Sequence, residues 1–227
     1  MIKVKICGLT SLADAGAAAD AGADFLGFVF APSPRRVDPQ VARGFWPKLP
    51  RGVPTVAVFR DQTFEEVEGV LRLVRPDFLQ FHGLERPGFC RVFERPVIRA
   101  LQARVPDDLA AAAAFVDIAE IFLIDLPKGD AGTLPADVAR AAVSLPKPVL
   151  LAGGLNPGNV RAVVERYRPY GVDVASGVES APGVKDHALV REFISRAKSP
   201  LPPFAKGGKG TGMPPSLRGH GNGNDPL

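Results

Sequence analysis

The chain has 227 residues, of which 46% are hydrophobic, and this suits one globular domain with a sizeable core, or at most two small ones. Two cysteines are too few for a disulfide framework, and no apolar run approaches the roughly 18 residues that predict a membrane span. The net charge is +4, but residues 198–227 carry four basic side chains and one acidic. Residues 1–197 are therefore nearly neutral, and we expect a cytoplasmic protein with neither nucleic acid nor a membrane as its partner.

Eight short β-branched or apolar runs predict strands along residues 1–197. In the first, Ile2, Val4 and Ile6 alternate with Lys3 and Lys5, which is the period of a strand. The predicted strands are 3–7, 25–30, 55–59, 78–81, 97–101, 121–124, 149–151 and 172–174.

Alanine-, glutamate- and arginine-rich segments between these strands predict helices. Ser11 is a good N-cap before the first of them, and Asn156-Pro157 combines a cap residue with proline at the first helical position. The segments after strands two, four and six are less clear. The predicted helices are 11–21, 63–74, 107–115, 156–167 and 186–197.

Repeated strand–helix units favour parallel strands joined by right-handed crossovers, as in a (β/α)8 barrel of the α/β class. An open, doubly wound sheet is the alternative, but glycine loops near the end of the chain, rather than after the first strand, favour the barrel. We assign residues 1–197 to one catalytic barrel. Residues 198–227 contain 13 prolines and glycines in 30 positions and predict a disordered tail.

Polar and glycine residues follow the predicted strands, where a barrel places its active site. We expect one thiol, one or two arginines, an imidazole, two carboxylates and two glycine loops to face one mouth of the barrel. The residues are Cys7, Ser33, Arg35, Arg36, His82, Asp125, Gly153, Gly154, Asp173, Ser176 and Gly177.

In their order along the chain, these motifs resemble the phosphoribosylanthranilate isomerase family of tryptophan biosynthesis. Any one of them is weak, but the ordered set, each at the end of its own strand, is specific and spans residues 3 to about 193. The matching motifs are KICGLT (5–10), DAGADFLGFVF (20–30), SPRRV (33–37), LQFHG (79–83), LIDL (123–126), LAGGLNPGNV (151–160) and DVASGVESAPGVKD (173–186).

The resemblance implies an Amadori rearrangement of N-(5′-phosphoribosyl)anthranilate to 1-(o-carboxyphenylamino)-1-deoxyribulose 5-phosphate. It implies no cofactor and no metal, a small phosphorylated molecule as substrate, and a monomer or homodimer. An acid must protonate the furanose ring oxygen, so that the ring opens to a Schiff base. A base must then remove the proton from C2′ to give an enolamine, which tautomerises to the ketone.

By the same resemblance, Cys7 is the general base and Asp125 the general acid. A free thiol has a pKa near ~8.5, so a thiolate at this position needs a positive potential close by. Asp125 has to hold a proton near neutral pH, which requires partial desolvation or a neighbouring negative charge. The other cysteine, Cys90, is expected to be a small buried hydrophobe.

The remaining roles concern substrate binding. Arg35 matches the arginine that binds the anthranilate carboxylate, because a guanidinium can fork onto a carboxylate, whereas Arg36 is expected to be a surface residue. His82 and Asp173 are candidates for positioning the substrate. Two glycine loops are expected to bind the phosphate through main-chain N–H groups; they contain Gly153, Gly154, Ser176 and Gly177.

One stretch departs from the family pattern. After the sixth strand the family has a GGTG-like run followed by aromatic residues, whereas residues 127–138 read PKGDAGTLPADV. This puts closure over the substrate in doubt and leaves two alternatives. One is a phosphate-binding barrel without turnover, and the other is a related aminoaldose isomerase of histidine biosynthesis. The latter has an aspartate at the end of strand one, and Cys7 stands there instead.

Overall fold

Eight parallel strands close into a barrel in the computed structural model, which describes residues 1–127, 129–130 and 132–200. Each strand pairs with the next along the chain, and β8 closes the barrel against β1. The strands are β1 (Lys3–Ile6), β2 (Phe25–Val29), β3 (Thr55–Phe59), β4 (Phe78–Phe81), β5 (Val97–Gln102), β6 (Ala119–Asp125), β7 (Val149–Leu151) and β8 (Gly171–Val174).

Helices follow the strands on the outside of the barrel, so the predicted (β/α)8 barrel is confirmed and the doubly wound sheet is wrong. The α-helices are α1 (Leu12–Asp20), α2 (Pro39–Phe45), α3 (Phe64–Leu71), α4 (Pro87–Arg91), α5 (Ala136–Ala142), α6 (Val160–Tyr167) and α7 (His187–Lys198). A 3-10 helix, Pro106–Phe115, takes the place of an α-helix after β5.

The predicted strands are all present within two residues of their expected ends, but three helix predictions need correction. The helix predicted at 63–74 ends at Leu71. The helix predicted from Asn156 begins at Val160. The Asn156 side chain accepts the Gly158 N–H (2.8 Å), and residues 157–159 form a turn before the helix. The alanine-rich segment 107–115 winds as a 3-10 helix.

The strands lie between two buried clusters, one outside the barrel and one inside it. Val4 and Ile6 of β1 belong to the apolar layer between the sheet and the helices, and both are fully buried. Cys7 belongs to a smaller cluster inside the barrel. Lys5 shares the inward face and is also fully buried. The alternation in β1 is therefore real, but its lysine face points into the barrel rather than into water.

A short irregular segment after β8 lies at the mouth of the barrel. It consists of a 3-10 turn (Ser176–Val178) and a hairpin of β9 (Glu179–Ala181) and β10 (Val184–Lys185). The last helix, α7, then packs against α1 and α6. The predicted tail lies outside the described residues from position 201 onwards.

None of the helices that the structure describes combines the length and apolar character needed to cross a membrane.

Candidate active site

A cavity of about 310 Å³ opens at the carboxyl ends of the barrel strands. Six of the residues expected at the mouth line it together, although they come from five separate parts of the chain: Cys7, Ser33, Arg35, His82, Asp125 and Asp173. Because the strands are parallel, residues that follow different strands meet at one mouth.

Cys7 stands at a sharp turn that depends on the glycine after it. Gly8 has φ +72°, a conformation that a side chain disfavours. The stem of Arg35 also packs against Gly8, and a Cβ there would lie 2.5 Å from the Arg35 Cδ. The Cys-Gly pair therefore both ends β1 and leaves room for the arginine.

Arg35 is engaged by a carboxylate of the chain itself. Its Nε and Nη2 donate to the two carboxylate oxygens of Glu179, each at 2.8 Å. Lys185 donates to the same carboxylate at 2.8 Å and to the Ala175 carbonyl at 2.9 Å. Burial raises the pKa of Glu179, but hydrogen bonds from Arg35 and Lys185 bring that pKa below its usual value. The Nη1 group of Arg35 takes no part in this fork.

The Cys7 sulfur lies among buried charges. Burial raises the pKa of its thiol, the Lys5 ammonium lowers it, and Asp173 raises it further, so the net pKa lies above the ordinary value. The Lys5 Nζ donates to Asp173 Oδ1 at 2.7 Å. Burial lowers the pKa of Lys5, but Asp173 and Cys7 raise it more, and the ammonium keeps its proton.

Asp125 faces His82 across the other side of the cavity. His82 Nε2 lies 3.5 Å from Asp125 Oδ2, and the main-chain N–H of Leu126 donates to Asp125 Oδ1 at 2.8 Å. The amide nitrogen of Gln80, a buried residue, lies 3.1 Å from His82 Nδ1. Since an amide N–H can only donate, Nδ1 accepts and the ring proton sits on Nε2, towards Asp125.

The glycine loops after β7 and β8 lie beside this cavity rather than on its lining. Gly153 and Gly154 have φ +78° and +60°, and a Cβ on Gly154 would collide with the main-chain oxygen of Gly132. A Cβ on Gly177 would collide with the Leu155 carbonyl. The glycines therefore allow neighbouring loops to pack closely. Ser176 begins the 3-10 turn that contains Gly177.

The loop that departs from the family pattern is joined to the loop after β5. Arg104 forks onto Asp130 through its Nε (2.7 Å) and Nη2 (2.9 Å). Gly129 and Gly132 both have positive φ. Two of its positions, 128 and 131, lie outside the described residues.

Sequence reasoning missed six polar residues at this mouth. Arg60 and Gln102 line the cavity and lie outside the motifs singled out. Lys5, Gln80, Glu179 and Lys185 lie within those motifs, but nothing in the sequence marked them. No group of three or more His, Cys, Asp or Glu side chains in the described part of the chain is arranged to hold a metal ion.

Sequence comparison places the chain among known proteins. Residues 4–196 match the family model described as N-(5′-phosphoribosyl)anthranilate (PRA) isomerase. A relative of that name from Geobacter metallireducens is 46% identical over 203 residues, covering 88% of this chain and all of the relative. Another, from Pseudomonas putida strain W619, is 43% identical and covers 87% of this chain and 98% of the relative.

Structural comparison gives the same result. The phosphoribosylanthranilate isomerase of Thermotoga maritima is 36% identical, with a TM-score of 0.79 over 87% of this chain and 99% of that one. The Thermus thermophilus enzyme is 39% identical, with a TM-score of 0.78 over 86% and 98%. A further similar structure, with a TM-score of 0.75, is a complex with reduced 1-(o-carboxyphenylamino)-1-deoxyribulose 5-phosphate. This chain belongs to the N-(5′-phosphoribosyl)anthranilate isomerase family.

Proposed function

We propose that this chain catalyses the Amadori rearrangement of N-(5′-phosphoribosyl)anthranilate, with Cys7 as the general base and Asp125 as the general acid. The observation that carries the assignment of the two roles is their placement. A thiol after β1 and a carboxyl at the end of β6 line one cavity from two sides, as an acid and a base acting on neighbouring atoms of one sugar require.

The first proton transfer opens the ring. The Asp125 carboxyl gives its proton to the furanose oxygen as the bond between C1′ and that oxygen breaks, and the anthranilate nitrogen lone pair forms the C=N bond of the Schiff base. The carboxylate left behind is then held by His82 Nε2–H and the Leu126 N–H. These donors fix the carboxyl group in place and receive the charge that develops on it.

The second transfer forms the enolamine. The Cys7 sulfur takes the proton from C2′, and the electrons of that C–H bond move towards the iminium nitrogen. Tautomerisation of the enolamine then gives the ketose. Three cations face the sulfur, namely Lys5, Lys185 and Arg35, and they offset the negative charge that a thiolate brings into this buried place.

The two anionic ends of the substrate have separate places. Arg35 lines the cavity with its Nη1 group uncommitted to Glu179, and it binds the anthranilate carboxylate there. Loops bearing Gly153, Gly154, Ser176 and Gly177 offer main-chain N–H groups to the phosphate at the usual phosphate position of such barrels. Asp173 lines the cavity floor, where its first task is to bind Lys5.

The test is the loss of phosphoribosylanthranilate fluorescence with purified protein, the labile substrate being generated in the assay. Wild type is compared with Cys7→Ser and Asp125→Asn, and Cys90→Ser is the matched control at the other buried cysteine. We expect turnover in wild type and control, and a loss of about 10²–10⁴-fold in both site variants.

No turnover in wild type would contradict the proposal, if the folded protein still bound reduced 1-(o-carboxyphenylamino)-1-deoxyribulose 5-phosphate. The barrel would then be a phosphate-binding protein without catalysis. Full activity in Cys7→Ser or Asp125→Asn would contradict the assigned role of that residue alone.

The assembly state stays a prediction of monomer or homodimer, with the protein acting in the cytoplasm. A similar structure from Thermotoga maritima is described as monomers generated from a dimeric phosphoribosylanthranilate isomerase. Sedimentation velocity of the purified chain across a concentration series distinguishes the two.

A further inference from the structure

Lys5 is the only lysine of the barrel strands that the structure buries completely, since Lys3 on the same strand has a side chain 42% exposed. Its Cα is in register with that of Asp173 on β8, so the two side chains leave the sheet on the same face. The Nζ–Oδ1 distance of 2.7 Å is that of a strong, charge-assisted hydrogen bond.

Cys7 shares that face because it lies two residues further along β1. The position of Gly27 on β2 shows how close the groups are. A Cβ on Gly27 would lie 3.0 Å from the Cys7 Sγ and 3.1 Å from the Lys5 Nζ. The sulfur and the ammonium therefore flank one small space, no more than about 6 Å apart. Gly27 lacks a positive φ, so its absent side chain serves space rather than backbone conformation.

The ammonium lies beneath the cavity. Cys7 and Asp173 line the cavity and Lys5 does not, so a substrate would touch the thiol while the lysine stays underneath. A buried lysine whose pKa is raised by its partners keeps its proton and cannot itself serve as a base. Its charge is permanently available to the atom beside it.

We propose that Lys5 is the positioning residue that stabilises the negative charge of Cys7 when the sulfur acts as the base, and that Asp173 fixes the Lys5 ammonium beneath the cavity. This deepens the proposed function, on which it rests for the role of Cys7. Burial makes a lone thiolate costly, and a fixed ammonium a few ångströms away offsets that cost without touching the substrate.

Other charges also face the sulfur, and they have to be separated from Lys5. Lys185 and Arg35 share the Glu179 carboxylate, which neutralises much of their effect on the thiol. Three more ionisable groups line the same cavity, on β6, after β4 and after β3. The groups around Cys7 are thus Lys5, Asp173, Lys185, Arg35, His82, Asp125 and Arg60.

The test titrates the thiol without substrate, in a Cys90→Ala background that leaves one cysteine. The rate of alkylation by iodoacetamide is measured from pH 6 to 10, and thiolate absorbance at 240 nm gives a second measure that needs no reagent access. The rate in the parent protein should rise with pH and reach its midpoint above the usual thiol value, since the Cys7 pKa is raised.

Substitutions at the two partners of the buried pair should shift the pKa of the Cys7 thiol in opposite directions. Lys5→Met removes the ammonium and should lower the alkylation rate at pH 8 at least tenfold, which corresponds to one pKa unit or more. Asp173→Asn removes a like charge and should raise that rate. If the pair had a purely structural role, both variants would loosen the site and shift the pKa of the thiol in the same direction.

Lys5→Met alone leaves a carboxylate unpaired and could fail to fold, so the decisive pair is Asp173→Asn with and without Lys5→Met. These two proteins differ only in the ammonium, and the same tenfold decrease is expected. Lys3→Met is the matched control, being the same substitution on the same strand face at a half-buried lysine that pairs with Asp24, and should change the rate less than twofold.

Equal thiol titrations with and without Lys5 in the Asp173→Asn background would overturn the inference. The titration requires no turnover, so its result is independent of the isomerase assay. An inactive wild type would contradict the proposed function, whereas an unshifted thiol in an active enzyme would contradict the Lys5 role alone.

Discussion

Two buried ion pairs in this barrel have similar exposure but different surroundings. Lys5–Asp173 lies under the mouth, with side chains 0% and 10% exposed. Arg99–Glu85 lies outside β5, with side chains 7% and 3% exposed. Burial alone therefore does not distinguish them, and the difference lies in the number of hydrogen bonds each pair makes with its neighbours.

Arg99 and Glu85 are almost fully hydrogen-bonded. Arg99 donates to the Phe81 and Gly83 carbonyls as well as to Glu85 (2.8–3.1 Å). The carboxylate also accepts the N–H groups of Asp61 and Gly83, each at 2.8 Å. In this pair only the Arg99 Nε lacks a partner. The Arg99–Glu85 pair therefore fastens the loops after β3 and β4 to β5.

Lys5 and Asp173 face a cavity instead of a set of main-chain groups. A single 2.7 Å hydrogen bond joins them, and the remaining capacity of the ammonium is directed at a thiol. The comparison teaches that a buried pair saturated by the backbone stabilises the fold, whereas one left open towards a reactive atom is available for chemistry.

The largest expected effect is on stability, at the saturated pair. Glu85→Ala leaves the Arg99 guanidinium buried without its counter-charge and strips two main-chain N–H groups of their acceptor. We expect the free energy of unfolding to fall by about 3–5 kcal/mol, measured by urea denaturation. Turnover of the folded protein should change far less, since Glu85 does not line the cavity. A variant as stable as wild type would contradict this reading of the pair.

A smaller effect is expected at Gln80, another buried polar residue. Like Lys5–Asp173, it is not saturated by main-chain hydrogen bonds and lies at the cavity. Its Oε1 has no partner in the described structure, while its amide nitrogen sets the His82 tautomer. Gln80→Leu removes one hydrogen bond, worth about 0.5–1.5 kcal/mol, so kcat should fall between about two- and tenfold. Steady-state kinetics measures this, and the unfolding midpoint should move little. An unchanged kcat would show that His82 needs no such restraint.

The smallest effect is expected at an exposed pair. Glu192 and Arg196 lie four residues apart on α7, with side chains 43% and 48% exposed. Glu192→Ala should lower the free energy of unfolding by no more than about 0.5 kcal/mol, by the same urea measurement. A loss as large as that of Glu85→Ala would mean that burial and backbone contacts do not explain the difference between the pairs.

Much of the fold follows from local sequence pattern. The strands predicted at 55–59, 78–81 and 149–151 coincide with β3, β4 and β7, because short β-branched or apolar runs bounded by turns have few other stable uses. The 3-10 winding of 106–115 was not predictable from its alanine content. Neither was the later start of α6, which depends on hydrogen bonds that Asn156 and Asn159 make within the loop.

The candidate site divides in the same way. The ordered motifs predict Cys7, Arg35, His82, Asp125 and Asp173, and the structure brings these five to one cavity, although their roles remain proposals. The same motifs contain Lys5 and Glu179 without marking them. Whether a strand lysine faces water or the barrel interior depends on which strand face the closed sheet encloses, and residue-by-residue alternation does not reveal this.

By itself, the sequence determined the eight strands, five of the helical segments between and after them, the thiol and carboxyl at two strand ends, and the family. These depend on contacts within a few residues and on motifs that can be read in order. Only the tertiary structure decided that Lys5 is buried on Asp173, that Glu179 already holds Arg35, and that Gln80 orients His82. Arg35 and Glu179 are 144 residues apart in the sequence, and Lys5 and Asp173 are 168 apart. Gln80 and His82 are only two residues apart. Barrel closure, which pairs β8 with β1, is the physical reason that a lysine near the start of the chain meets an aspartate near its end.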